Sequence, residues 1–186
     1  GKKAAAFKKS FPDADEIGGK TKQSRNGEEL MAAGDEGRRL PWLLKLGLTP
    51  EQAITDVENW CGALQEVAIP CTGNSPAVFL EKAVEFANEN CWGTLSCVVV
   101  AHPATQKVIQ KEFEAAIERL KYGSICINVP GNIGFGITKL AWGGWPGSTA
   151  DSIGSGSCKV HNTLLYDHVQ KSVLRGAWRV HPYPFW

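Results

Sequence analysis

The residues in this chain best suited to covalent chemistry are six cysteines, Cys61, Cys71, Cys91, Cys97, Cys126 and Cys158. A thiol attacks a carbonyl only as a thiolate, so it needs a nearby cation or base, and donors for the oxyanion that forms. No two of the six stand at the C-x-x-C spacing of a zinc or thiol-redox site, so no metal ligands are assigned and a small metal or redox module is set aside. Cys97 and Cys126 sit in apolar runs, where a free thiol packs as a small hydrophobe. All six read as reduced, core or near-core residues of a compartment without structural disulfides. Cys61 is the best-placed nucleophile, but the carboxylate of nearby Glu58 would raise its pKa and oppose ionisation. His102, His161 and His168 are unclustered in the sequence, so no catalytic residue is assigned. Gly131, Gly134 and Gly136 read as a loop with no helix start behind them, so the chain shows no dinucleotide-binding turn between a strand and a helix.

The elements that must position these residues are legible from periodicity. Residues 1–40 read as a basic, irregular segment, with a short helix around Glu28–Ala33. Leu40-Pro-Trp-Leu-Leu-Lys-Leu46 is the first apolar cluster. Thr49-Pro-Glu-Gln52 carries a helix-start signal, with Thr49 as N-cap and Pro50 in the first helical position. Leu64–Ile69 has strand character and is closed by Pro70. Ser75-Pro76 predicts a helix whose buried stripe is Phe79, Leu80, Ala83, Val84 and Ala87. A strand over 95–101 follows. Pro103 then opens a second helix, with Val108, Ile109, Phe113, Ala116, Ile117 and Leu120 as its stripe and Gly123 as its left-handed cap. Ser124–Val129 is the next strand.

Strand, helix, strand in this order predicts a βαβ unit in a parallel sheet covered on both faces. The predicted class is α/β: a partial parallel sheet with crossover helices, a Gly-rich loop over 130–157, and extended C-terminal strands at Val160–Tyr166 and Lys171–Val180. The predicted divisions are residues 1–40, an α/β region at 41–157, and C-terminal docking strands with an aromatic tail at 158–186.

Twenty basic and nineteen acidic residues nearly cancel, so no global field draws the chain to nucleic acid or an anionic membrane. Lys2, Lys3, Lys8, Lys9, Lys20 and Lys22 crowd the start and read as a solvated tail, with phosphate or lipid contact the alternative. Nucleic-acid binding has only these lysines behind it and is not assigned. Peripheral membrane contact stays open. No apolar run approaches the roughly 20 residues that span a bilayer. A start at Gly1, with Met31 the only methionine, reads as a processed or truncated polypeptide, a removed organellar presequence among the options.

One ordered set of motifs is more specific than any of these features. Glu81–Asn88 leads into Trp92-Gly-Thr-Leu95 and the strand Cys97-Val-Val-Val-Ala101. Leu120-Lys-Tyr-Gly-Ser-Ile-Cys-Ile-Asn128 and Trp142-Gly-Gly144 come behind it. Over roughly residues 55–180 this order resembles the C-terminal part of the aldehyde dehydrogenase catalytic domain.

The resemblance implies a role for Glu58-Asn-Trp-Cys-Gly62, which looks like a modified Glu-x-Phe-Gly-Pro motif. Glu58 would accept hydrogen bonds from the nicotinamide ribose hydroxyls, and Trp60 would pack beside the nicotinamide. Cys61 is inserted before the glycine, and Ala63 stands where the proline is expected. Asn128 would close the strand near the substrate tunnel, with Trp142 beside it; the simpler role for Asn128 is to satisfy backbone groups at a strand end. Trp142-Gly-Gly-Trp145 resembles the family's Phe-Gly-Gly segment, but Pro146-Gly-Ser148 replaces its lysine and Ser-Gly step. Leu164–Tyr166 and Ser172–Leu174 match the oligomerisation arm.

The family's nucleophile and cofactor domain lie upstream of these motifs and have no counterpart in this sequence. Two functions therefore stand. One is a non-catalytic, dehydrogenase-derived structural subunit that binds no cofactor by itself and meets other protein subunits through the C-terminal strands and aromatic loop. The other is the C-terminal portion of an NAD- or NADP-dependent enzyme that oxidises an aldehyde to a carboxylic acid.

Overall fold

A computed structural model of the chain describes residues 2–17, 42–56, 62–149, 151, 158–159 and 170–177; of Lys3, Trp142, Cys158 and Lys159 the backbone alone is described. It is a mixed α/β structure with small parallel sheets and helices. Two compact units divide it, Gly1–Pro70 and Cys71–Trp186.

The first unit opens with helix α1, Lys2–Ser10, where an irregular tail was expected. Three consecutive alanines favour the helix, but tertiary burial explains it better. Phe7 and Phe11 both lie on the core face, one turn apart, with ring centroids 5.1 Å apart in an edge-to-face arrangement. They pack on Leu43, Leu48 and Ala63. Those residues belong to a three-stranded sheet of β1 (Asp15–Ile17), β2 (Trp42–Leu48) and β3 (Ala63–Val67). β1 runs antiparallel to β2, and β2 runs parallel to β3. Alternation places Trp42 opposite Ile17 and Leu44 opposite Leu64 on the sheet's other face.

The helix expected at Thr49–Gln52 is a turn. Gln52 N–H donates to Thr49 O at 3.1 Å, and Thr49 N–H donates back to Gln52 Oε1 at 3.0 Å. One half of a capping box, the Gln52 side chain reaching back to the Thr49 N–H, is present without the helix. The physical reason lies two residues on: the Gln65 side chain exchanges two hydrogen bonds with the backbone of Ile54, at 2.8 and 2.9 Å, which ties the chain to β3.

In the second unit, α2 (Pro76–Glu89) starts as expected, with Pro76 at the first helical position and an extended Ser75 before it. The Ser75 side chain makes no capping bond. β4 (Ser96–Val99) and β5 (Ser124–Ile127) are parallel, and β8 (Ser172–Arg175) extends the sheet in the order β4-β5-β8, all parallel. β5 is central and every one of its residues is buried.

The single helix expected from Pro103 is two helices, α3 (Pro103–Val108) and α4 (Gln110–Arg119), broken at Ile109 with φ −112° and ψ 37°. The break turns Val108 out of the expected stripe to 81% exposure, while Phe113, Ala116 and Ile117 remain buried. α2 and α4 cover one sheet face, packing Val84, Phe113 and Ile117 against Ile125 and Ile127. The opposite face meets α5 (Gly131–Gly136), where a Cβ on Gly131 would stand 3.4 Å from Val98 Cγ2.

The glycines read as a loop thus include a one-and-a-half-turn helix behind Pro130, which has no hydrogen-bond donor to lose at that position. β6 (Ala141–Trp142) and β7 (Cys158–Lys159) form a separate antiparallel pair. The segments expected as a helix at Glu28–Ala33 and as a strand at Val160–Tyr166 lie outside the described residues.

Candidate functional site

Three glycine-containing turns meet at the ends of β4 and β5. Gly123 N–H donates to Thr94 O at 2.8 Å, and the Thr94 hydroxyl donates to Gly143 O at 2.7 Å. Gly123 lies so close to the next turn that a Cβ on it would fall 2.7 Å from Gly143 Cα. Gly123 is therefore required for close backbone approach and is not the left-handed helix cap expected of it; it is not among the residues with positive φ. Gly143 has φ +92°, which a β-carbon disfavours. Trp92-Gly-Thr94, Tyr122-Gly-Ser124 and the Trp142-Gly-Gly144 backbone are thereby locked together.

The next turn, Trp145-Pro-Gly-Ser148, closes with Ser148 N–H on Trp145 O at 2.9 Å. It places proline second and a glycine of φ +111° third, the pattern of a type II turn. The Trp145 N–H also donates to Ser148 Oγ at 3.1 Å, and Lys121 Nζ stands 5.7 Å over the indole ring.

Asn128 sits just past β5 with φ +56°, the only non-glycine of positive φ among the described residues. Its Oδ1 accepts from Ala101 N and its Nδ2 donates to Ala101 O, both at 2.9 Å. The side-chain amide thus serves as one more rung of the β4–β5 ladder, after the main-chain bond from Asn128 N to Val99 O at 2.9 Å. Gln106 Nε2 shares the Ala101 carbonyl at 2.8 Å. Here Asn128 fills the strand-end role.

A groove of about 420 Å³ runs along the free side of β4. Phe79, Leu80 and Ala83 of α2, Val98 and Val100, and Ile109 and Phe113 are among the residues that line it. Cys97 also lines it. Burial, with lesser contributions from Cys91 and Cys126, pushes the Cys97 thiol up to about 11, so near neutral pH it is a packed hydrophobe. Burial also raises the Cys91 thiol. Cys126 is fully buried, whereas Cys71 is exposed, contrary to the expectation of core or near-core thiols throughout. His102 uses Nδ1 to accept the Ala104 N–H at 3.1 Å, capping α3. Sequence reasoning missed this cap because histidine is not a usual N-cap residue.

The β8 edge of the sheet is tied by Lys171. Its ammonium donates to Ile117 O at 2.9 Å, Leu120 O at 3.0 Å and the Glu118 carbonyl, gathering the open carbonyls that end α4. Arg175 of β8 pairs with Glu114 of α4 at 2.6 Å. β8, the stretch matched to an oligomerisation arm, is therefore bonded along one side to its own chain's β5.

Glu58, Trp60 and Cys61 lie outside the described residues, and Trp142 is placed only by its backbone pairing with Cys158. Among the described residues no group of three or more His, Cys, Asp or Glu side chains could hold a metal ion. No described helix is long and apolar enough to cross a membrane. The described arrangement can offer apolar contact and backbone hydrogen bonds. No family model, no curated protein and no solved structure matches the chain.

Proposed function

We propose that this chain is an aldehyde dehydrogenase-derived subunit that is non-catalytic by itself and acts as a structural or interaction component of a larger assembly. The observation that carries the reading is the meeting of Thr94, Gly123 and Gly143. The three motif pieces on which the family resemblance rests are far apart in sequence, yet they form one hydrogen-bonded junction. The non-catalytic part of the reading rests on the raised pKa of Cys91 and Cys97, which opposes their acting as thiolate nucleophiles. Exposed apolar side chains on β4 and α2 suit a protein that works by docking.

The test is the intact mass of the native polypeptide, with NAD- and NADP-dependent aldehyde oxidation assayed on the same sample. A mass near 20.2 kDa with no turnover is the expected result. Turnover by a much larger polypeptide would replace this reading with that of a working dehydrogenase, in which Glu58 and Trp60 contact the cofactor.

A further inference from the structure

α3 is a short helix with little packing to hold it. Its six residues, Pro103–Val108, include none that is buried, and Val108 is 81% exposed. A helix of this length is marginal in water, so the bonds at its ends decide whether it forms. The break at Ile109 separates it from α4, whose Phe113, Ala116 and Ile117 are buried. At its start, His102 Nδ1 accepts the Ala104 N–H at 3.1 Å. A peptide N–H can only donate, so Nδ1 carries a lone pair and the imidazole is the neutral Nε2–H tautomer. Gln106 adds a further tie, donating from its side chain to Ala101 O at 2.8 Å.

We propose that His102 is an acid-sensitive latch, whose protonation releases the start of α3 from the end of β4. Two effects act in the same direction. An imidazolium offers no acceptor at Nδ1, so the Ala104 N–H loses its partner. A cation there also meets the partial positive charge of the first-turn N–H groups. The neutral imidazole therefore favours the capped helix, and this contribution is lost as pH falls. Histidine is the side-chain type whose charge ordinarily changes between about pH 5 and 8. Around His102, α2 and α4 contribute no charged side chain to the groove lining. β4 contributes the Cys97 thiol, and the charged residue of α3 itself is Lys107, in its last turn. His102 and Thr105 both line the groove, so the latch governs part of its border. The inference stands on the cap geometry, independently of any family relationship.

The test is amide hydrogen exchange on the full chain, read residue by residue by NMR from about pH 8 to 5 and corrected for intrinsic exchange. The amides to follow are Ala104, Gln106 and Ile109, which donate to His102 Nδ1, His102 O and Thr105 O. Their protection should fall about fivefold or more in the parent chain as the pH is lowered. Phe113 and Leu120, bonded within α4, should keep theirs. His102→Asn retains a capping acceptor that does not titrate, so its profile should stay flat. Where His102→Asn does not fold, His102→Ser takes its place as another good cap. Parent protection that holds constant across this range, or an equal fall in the non-titrating variant, would overturn the proposal.

Discussion

Asn128 and Ala101 exchange two hydrogen bonds, 2.9 Å each, between a side-chain amide and a backbone peptide. The left-handed conformation of Asn128 accompanies this, because φ +56° ends β5 while the amide continues the ladder. Asparagine tolerates that conformation better than other residues bearing a β-carbon. Asn128→Ala should lose both bonds and strain the backbone, costing about 2–4 kcal/mol in denaturant unfolding. Asn128→Gly should cost less, because it keeps the backbone conformation and loses only the bonds. Equal losses in the two variants would show that the conformation contributes nothing.

Gly123 is held against Gly143 with no room for a side chain. Gly123→Ala must push the Trp142-Gly-Gly144 turn away from Thr94, at a cost of about 1–3 kcal/mol. Gly136, where an added Cβ meets nothing within 4 Å, is the control. Thermal unfolding should separate the two alanine variants clearly.

Lys171 joins β8 to the end of α4 through three carbonyls. Lys171→Met keeps the aliphatic stem and removes the donors, and should destabilise the second unit by about 1–2 kcal/mol. Hydrogen exchange should then quicken in the last turn of α4 and in β8, with β2 and β3 unaffected.

Alkaline pH should destabilise the fold through Cys97. Its folded pKa of about 11 stands above the ordinary thiol value, so its contribution is complete below the unfolded pKa. That contribution is lost as pH rises, because the unfolded thiol ionises first. The window runs from about 8.5 to 11. Burial raises the Tyr122 phenol as well and extends the loss to higher pH. Burial lowers the Lys171 ammonium, which acts in the opposite sense. Cys97→Val should flatten the fall in urea midpoint across this window. At neutral pH, limited iodoacetamide with peptide mapping should label exposed Cys71 before Cys91, and Cys97 and Cys126 last.

The sequence by itself determined the elements whose periodicity and punctuation agree with burial. Pro76 starts α2 where expected, the apolar runs around Cys97 and Cys126 become parallel strands, and the spacing of Phe113, Ala116 and Ile117 marks the covered face of α4. Tertiary structure decided the points where distant groups compete with local signals. Gln65 holds Ile54, so the helix-start pattern at Thr49 closes only a turn. Ile109 breaks the long helix and exposes Val108. Gly123 looks like a helix cap in sequence and proves to be a point of backbone contact with a turn twenty residues away. The lesson of Phe7 and Phe11 is the same: two aromatics in a lysine-rich stretch show no function until a sheet is there to cover them. Periodicity reports the side a residue turns inward, whereas the atoms it meets there are set by chain segments far away in sequence, which local patterns do not encode.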